Sequence, residues 1–202
     1  MRIAVLGATG AVGSLLVTEA LGRGMEVTAL ARDPGRVPER AGLAVVAADV
    51  NDPASISRAV EGADVLVSAL GVAKGEPPGT LTAGAKAVVA SGVGRIVWLG
   101  AYGTGPSAPS AGPVTRTLLG LLMRAELPDK VAADAAVLAA GGTVFHVGPL
   151  ADGPAGHRTL PLEAAPHRLF PARVSRAAVA AAMIDEATQP EFPARLVIAV
   201  NR

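Results

Sequence analysis

Short apolar runs recur along the 202-residue chain, and stretches with the apolar spacing of helices lie between them. Most of the runs are continuously apolar, which is typical of strands covered on both faces of a sheet. The predicted strands span residues 3–6, 26–31, 43–48, 65–69, 95–99, 143–147 and 195–200. The predicted helices span residues 12–22, 53–61, 79–91, 128–140 and 175–188.

Several of these helices have recognisable boundaries. Pro53 follows Asp52 at one helix start, Gly141 and Gly142 end another helix, and Ser175 can cap the last helix. Strands and helices in strict alternation predict right-handed βαβ units. We therefore expect an α/β fold with a doubly wound parallel sheet, a Rossmann fold, in a single domain over residues 1–202.

Three segments interrupt this alternation, at about residues 71–79, 100–114 and 148–173. Each follows the end of a predicted strand and is rich in glycine and proline or long. Open α/β sheets bind ligands at the carboxyl ends of their strands. The three segments are therefore candidate substrate loops, although each could also be a plain flexible connection.

Composition removes several classes of function. The net charge is +1, aromatic residues make up 2%, and there is no cysteine. Without a basic run or a stacking platform, direct nucleic-acid binding is not expected, and thiolate chemistry is excluded. No apolar segment is long enough to span a membrane and no signal peptide is evident, so we expect a cytoplasmic protein without a membrane partner.

The three histidines do not predict a metal site. His146 lies inside a predicted strand, in the core or beneath the cleft, whereas His157 and His167 fall in the last long loop. No carboxylate stands at metal-ligand spacing from them. No Gly-x-Ser-x-Gly motif is present either, so a serine hydrolase is not expected.

The sequence GATGAVG occupies residues 7–13, between the first predicted strand and the first predicted helix. The N-terminus of a helix offers unpaired N–H groups and a partial positive charge, which favour a diphosphate. Gly7 would permit a tight turn, Gly10 would let the diphosphate approach, and Gly13 would let the helix pack on the strand. The predicted phosphate-binding residues are Gly7, Thr9, Gly10, Ala11, Val12 and Gly13. The alternative is a tight connection without a ligand.

The end of the second predicted strand indicates which dinucleotide is bound. An acid at this place binds the ribose 2′-hydroxyl of NAD, whereas an arginine accommodates the 2′-phosphate of NADP. Here the strand ends at Arg32, and Arg36 follows as a second candidate contact. NADP(H) is the predicted cofactor. Alternatively, Arg32 is solvated or pairs with Asp33.

Two further strand ends complete the predicted cofactor site. Asp49 could accept a hydrogen bond from the adenine amine while Val50 packs on the ring; equally, Asp49 could cap the start of the next helix. After the fourth strand, Ala69, Leu70 and Gly71 are small or flexible enough for the ribose and diphosphate to cross the backbone.

The glycine turn, Arg32, Asp49–Val50 and Ala69–Gly71 follow one another along the chain as they do in the short-chain dehydrogenase/reductase superfamily. The sequence resembles specifically the atypical NAD(P)H-binding branch of that superfamily. The segment VSRAAVA at residues 174–180 is similar to the family's late vSRxDVA segment, with Ala178 in place of the acid. The resemblance spans essentially the whole chain. Small members of this branch include flavin reductases of the biliverdin-IXβ reductase type, quinone reductases and cofactor sensors related to nitrogen-metabolite regulators.

The catalytic part departs from the standard superfamily pattern, which has a serine after the fifth strand and Tyr-x-x-x-Lys on the next helix. Here no serine follows the strand directly, and Glu126 stands in the place of the tyrosine. The resemblance implies that Lys130 binds the nicotinamide ribose, although Lys130 could instead pair with Asp134. Tyr102 could donate a proton, stack on a planar substrate, or be an ordinary loop residue.

Without the serine–tyrosine pair, alcohol–ketone chemistry lacks its proton donor, whereas a flavin or quinone can take its proton from water. The sequence therefore predicts an NADPH-dependent oxidoreductase that transfers hydride to a small planar acceptor. Two alternatives stay open: a non-catalytic NADP(H)-binding redox sensor, and an atypical carbonyl reductase that uses Tyr102 or Glu126. The apolar segment 115–123 could cover the sheet or join two copies in a homo-oligomer.

Overall fold

The computed structural model describes residues 1–72, 76–122, 124–165 and 172–202. Its strands, in chain order, are β1 (Arg2–Leu6), β2 (Glu26–Ala31), β3 (Leu43–Ala47), β4 (Val65–Ser68), β5 (Ile96–Ala101), β6 (Thr143–Val147), β7 (Leu150–Ala151), β8 (His157–Pro161), β9 (Val174–Ser175) and β10 (Leu196–Asn201). Its α-helices are α1 (Gly13–Gly22), α2 (Pro53–Ala59), α3 (Thr80–Ala90), α4 (Gly112–Leu122), α5 (Leu127–Ala139) and α6 (Arg176–Thr188).

Eight strands form one sheet in the order β3-β2-β1-β4-β5-β6-β10-β8. The first seven in this order run parallel, and β8 pairs antiparallel with β10 at the edge. The strand order reverses between β1 and β4, the point at which doubly wound sheets bind ligands. The predicted α/β fold is confirmed.

Two apolar clusters cover the two faces of this sheet. On one face α1 and α6 pack against alternate strand residues such as Val5 and Val67. On the other face α2, α3 and α5 pack against the intervening residues, including Leu6 and Trp98. Because both faces are covered, the central strands read as continuous apolar runs, which is why the sequence located them closely.

The last predicted loop contains structure that the sequence analysis missed. β8 lies inside the segment 148–173, and β7 pairs with β9 in a small parallel sheet. The sequence of β8, HRTLP, is short, largely polar and ends in proline, all features of an edge strand that resemble those of a loop. β8 thus adds one antiparallel strand at the edge of the predicted parallel sheet.

Helix boundaries follow the local signals in part. The Ser175 hydroxyl accepts hydrogen bonds from the backbone N–H groups of Ala177 and Ala178 at the start of α6, as predicted. At α2, Pro53 occupies the first turn, but the Asp52 side chain makes no capping hydrogen bond. Parts of two candidate loops (73–75 and 166–171, which includes His167) and Met123 lie outside the described residues.

Among the described helices, none has the length and apolar character needed to cross a membrane. α4 coincides with most of the apolar segment 115–123, and its Leu121 side chain is exposed.

Candidate functional site

A cleft of about 620 Å³ runs along the carboxyl ends of β1, β2, β4, β5 and β6; we call it the main cleft. Many of the predicted cofactor residues line it together. They are Gly7, Thr9, Gly10, Ala11, Val12, Arg32, Arg36, Val50, Ala69, Leu70, Gly71 and Lys130. The topology thus brings together residues from five segments of the chain, at the edge where ligands bind in this fold.

The glycine turn between β1 and α1 forms the centre of the cleft wall. Gly7 has a φ of +79°, and a Cβ atom on it would lie 2.7 Å from the backbone oxygen of Ala69. A Cβ on Gly13 would lie 1.9 Å from the Gly7 oxygen. The turn therefore needs glycine both for its dihedral angles and for the close approach of β1, α1 and the end of β4. The resulting cradle at the N-terminus of α1 suits a diphosphate.

One end of the main cleft carries positive charge. Arg32, at the end of β2, forms an ion pair with Glu76, which also lines the cleft, rather than with Asp33. The Asp33 carboxylate instead accepts a hydrogen bond from the Gly35 N–H at 3.1 Å and caps the short 3-10 turn that carries Arg36. Both arginines thus border the cleft, and Glu76 is a site residue that the sequence analysis missed.

The Asp49 side chain makes its contacts in the turn before α2, whereas the helix itself begins at Pro53 and has Asp52 at its N-cap position. Its Oδ1 accepts hydrogen bonds from the Asn51 backbone N–H at 2.8 Å and from the Asn51 side chain at 3.1 Å. This turn leads into α2, and Asn51 and Val50 line the main cleft. Contact between Asp49 and an adenine ring stays a prediction.

Lys130 lies at the opposite end of the main cleft, in the second turn of α5. In the described part of the chain, no ion pair joins it to Asp134. Its neighbour Asp129 fixes this end of α5 to α3, because the Asp129 carboxylate accepts hydrogen bonds from the backbone N–H groups of Leu81 (3.0 Å) and Thr82 (2.8 Å). Asp129 therefore positions the helix turn that presents Lys130 to the cleft.

Hydrogen bonds also set the ionisation of Asp129. Burial by itself raises the pKa of this carboxyl group, but the hydrogen bonds from Thr82, Leu81 and Gly79 outweigh burial and hold the pKa below its ordinary value. The carboxylate is charged at neutral pH, where it acts as a cap for the first turn of α3.

Three buried polar side chains lie directly behind the wall of the main cleft. His146 Nδ1 lies 2.7 Å from Ser107 Oγ, and His146 Nε2 lies 2.9 Å from Asp134 Oδ2. A Cβ on Gly100, which lines the cleft, would lie 3.0 Å from each carboxylate oxygen of Asp134. Since Ser107 and His146 are fully buried, they link β6, α5 and the loop after β5 and cannot serve as a nucleophile and its base.

This cluster confirms the expectation that His146 lies in the core beneath the cleft. The partners of His146 are not evident in the sequence, because Ser107 lies in a proline- and serine-rich loop and the spacing of Asp134 from Lys130 suggests a different pair.

Tyr102 and Glu126, the candidate proton donors, both lie outside the main cleft. Glu126 is exposed at the start of α5. The Tyr102 hydroxyl donates to the Ser110 carbonyl oxygen at 2.8 Å, and burial raises the pKa of Tyr102. Tyr102 lines a second cavity of about 370 Å³ with Arg158, Leu160, Arg173, Val174, Ile198 and others, and this second cavity meets the main cleft at Gly148.

Known proteins share this fold over almost the whole chain. A protein of Burkholderia pseudomallei assigned as exported is 32% identical, with 99% of each chain covered and a TM-score of 0.76. The anaerobilin reductase ChuY of Escherichia coli O157:H7 is 20% identical, with 100% of this chain and 97% of that one covered and a TM-score of 0.80. A protein of Streptococcus pneumoniae assigned as an NADH-flavin reductase is 17% identical over 100% of both chains, with a TM-score of 0.77.

The model of a protein family described as NAD(P)H-binding matches residues 7–190. The match begins at the first glycine of the turn and extends just past the end of α6, so it includes the glycine turn, Arg32, Arg36 and Lys130. The resemblance drawn from the sequence motifs is confirmed. The chain belongs to the NAD(P)H-binding family.

Proposed function

We propose that the chain is an NADPH-dependent reductase that transfers hydride to a planar acceptor such as a flavin or a quinone. The observation that carries this proposal is the arrangement of one continuous cleft. The glycine turn lies at its centre, Arg32 and Arg36 lie at one end, and Lys130 lines the other part, toward β5 and β6. Gly148, directly after β6, lines both this cleft and the second cavity.

The positive end supports NADPH rather than NADH. Arg32 is at the β2 terminus, where the adenosine ribose is bound in doubly wound dinucleotide-binding folds, and Arg36 borders the same part of the cleft. A guanidinium suits a 2′-phosphate because it presents several N–H donors in a fixed plane. Glu76 is the counter-ion that the 2′-phosphate would replace.

The other end suits the reacting ring. Lys130 is half-buried, lines the cleft and has no side-chain acceptor among the described residues, so its ammonium group is available to ribose hydroxyls. Leu99, Gly100, Ala101 and Val147 provide a largely apolar wall there, which suits stacked flat rings. NADPH supplies a hydride when bound, and the protein's contribution is to orient the acceptor and limit access of water.

The choice of a flavin or quinone as acceptor rests on which proton donors are available. The Tyr102 hydroxyl donates its hydrogen bond to the Ser110 carbonyl oxygen, and Glu126 is exposed outside the main cleft. Acceptors that take their proton from water fit this arrangement better than ketones do. The named activities of the Escherichia coli and Streptococcus pneumoniae proteins, an anaerobilin reductase and an NADH-flavin reductase, support the same class.

The same lack of a donor in the cleft favours the second candidate, a non-catalytic NADP(H) sensor. One assay separates the two. Purified protein is mixed with NADPH and one acceptor at a time (riboflavin, FMN or menadione), and the nicotinamide absorbance is followed against controls without protein and without acceptor. Under the reductase proposal the absorbance falls catalytically with at least one acceptor, and NADPH is used more efficiently than NADH.

Tight NADPH binding without turnover of any acceptor would contradict the reductase and favour the sensor. Reduction of a simple ketone that is lost in Tyr102→Phe would instead favour the atypical carbonyl reductase. The cytoplasmic location expected from the N-terminal sequence stays a prediction.

A further inference from the structure

We infer that the second cavity binds the acceptor, and that the acceptor is a planar apolar ring system carrying an anionic group, which Arg158 and Arg173 recognise. This inference rests on the proposed reductase function, since it names the substrate class for the site next to the main cleft. The cavity, of about 370 Å³, falls in the size range of small-molecule sites.

The β8 side chains alternate between the cavity and α6. In the antiparallel register, Arg158 lies opposite Val200 and Leu160 lies opposite Ile198, and all four residues line the second cavity. His157, the neighbour of Arg158, has the opposite orientation: its Nε2 lies 2.9 Å from Asp185 Oδ2 on α6. Because side chains alternate along a strand, Arg158 lies on the face away from α6, which is the cavity face.

The described wall of the second cavity carries positive charge. The described lining of the second cavity contains two charged residues, Arg158 and Arg173, and both are basic. Neither arginine has an ion-pair partner among the described residues. Two guanidinium groups without a carboxylate partner in the described part of the chain, beside an apolar floor, would attract a carboxylate, sulfonate or phosphate.

Arg173 lies on a backbone segment that hydrogen bonds hold against β10. Its carbonyl oxygen accepts a hydrogen bond from Asn201 Nδ2 at 3.2 Å, and Asn201 Oδ1 accepts one from the Ser175 N–H at 2.9 Å. The amide of Asn201 thus joins the segment before α6 to β10. Arg173 and Arg158 are held on two neighbouring parts of one small scaffold.

The second cavity adjoins the main cleft. Gly148, directly after β6, lines both of them. Next to it, Val147 and Ala101 line the lysine end of the main cleft, and Leu160 and Ile198 form part of the apolar floor of the second cavity. A ring bound on this floor is next to the part of the main cleft assigned above to the nicotinamide, with its anionic group toward the arginines.

The test compares acceptors that share a ring and differ in charge. FMN and riboflavin have the same isoalloxazine ring, and naphthoquinone-2-sulfonate and naphthoquinone form a smaller pair. Binding is measured by titration with saturating NADP⁺, which keeps the probes out of the main cleft, and turnover is measured separately with NADPH. We expect at least one anionic probe to bind about 10-fold or more tighter than its uncharged partner.

Arg158→Gln and Arg173→Gln should each remove most of this preference while leaving the uncharged probe unchanged. Arg58→Gln, on the exposed surface of α2, is the matched control and should bind like the unmodified protein. Three results would overturn the inference. They are equal binding of the charged and uncharged probe in each pair, no binding of either anionic probe, and a charge preference that persists in both glutamine variants.

Turnover without a charge preference would leave the reductase proposal standing and the inference wrong. A charge preference that depends on Arg158 but comes without turnover would have the opposite meaning: the anion-binding cavity would stand, and the reductase activity would fail.

Discussion

The main cleft and the second cavity meet at Gly148, but different kinds of structural element form their walls. The main cleft is shaped chiefly by backbone and small side chains at the ends of parallel strands, with the glycine turn at its centre. The second cavity is shaped by side chains of the antiparallel pair β8–β10 and by the segment before α6. The main cleft is continuous with the core of the fold, whereas the second cavity lies at the edge of the sheet.

This difference predicts how each region responds to substitution. A change in the glycine turn moves backbone atoms that also hold β1, α1 and β4 together, so binding and stability should fall together. A change of an arginine at the cavity rim or at the charged end of the cleft alters an exposed side chain and should spare the fold. The predictions below test this separation, beginning with the largest expected effect.

Gly13→Ala should have the largest effect. Its Cβ would lie 1.9 Å from the Gly7 oxygen, so the turn must shift, and we expect the free energy of unfolding to fall by about 3 kcal/mol or more. NADPH binding should weaken at least about 100-fold, or the variant should fail to fold. Chemical denaturation and NADPH titration measure the two effects.

Gly22→Ala is the matched control, since it lies in the same helix and its Cβ would have no neighbour within 4 Å. It should be neutral or slightly stabilising, because alanine is the better helix residue. A Gly13→Ala protein with the stability and NADPH affinity of the unmodified protein would refute the close packing of the turn.

Arg32→Ala should have the next largest effect, and on the cofactor alone. Loss of the phosphate contact should cost on the order of 1.5–3 kcal/mol of NADPH binding, about 10- to 150-fold, with little change for NADH. Stability should be nearly unchanged, because the Arg32 side chain is 63% exposed. Titration of each cofactor against the Arg58→Ala control measures the effect, and equal affinity of the unmodified protein for NADPH and NADH would contradict the assignment.

The same contrast explains how much the sequence could predict. The core strands and the glycine turn follow from patterns contained within single segments: continuous apolar runs, GATGAVG, and an arginine at a strand end. These patterns located six of the seven predicted strands to within one residue at each end, as comparison of β1, β2, β3, β4, β6 and β10 with the predicted spans shows.

The missed features depend on contacts between distant segments. Glu76 pairs with Arg32 across 44 positions, and Ser107, Asp134 and His146 meet only because α5 packs on β5 and β6. β8 carried little signal, because both faces of the strand are polar: His157 and Thr159 lie on one face and Arg158 on the other. Patterns within single segments therefore predict the strands and the glycine turn of the site. The partners of its charged residues could not be predicted, because they depend on tertiary contacts.

Asp129→Asn should have an intermediate effect on stability that depends on pH. The variant keeps one acceptor oxygen for the N-terminus of α3 and loses the charge, so we expect a loss of about 1–2 kcal/mol at neutral pH. Because the pKa of the folded carboxyl is lowered, its contribution is fully present above the pKa of the unfolded chain and is lost as the pH falls through the folded value.

The stability difference between the unmodified protein and Asp129→Asn should therefore be constant near neutral pH and shrink below about pH 4. Asp152→Asn, whose side chain is 98% exposed, is the control and should show little difference at any pH. A difference that grows in acid would refute the role of the Asp129 carboxylate as a cap.

Glu76→Gln should have the smallest effect and the opposite sign. Glu76 forms an ion pair with Arg32 in the main cleft, and only 12% of its side chain is exposed, so an incoming 2′-phosphate must displace this carboxylate or lie beside it. Removing the charge frees Arg32, and NADPH should bind about 2- to 5-fold tighter, the size expected for a half-exposed pair. NADH should change little, and the gain should shrink at high salt. Weaker NADPH binding in Glu76→Gln would mean that the carboxylate orients Arg32 for the phosphate and does not compete with it.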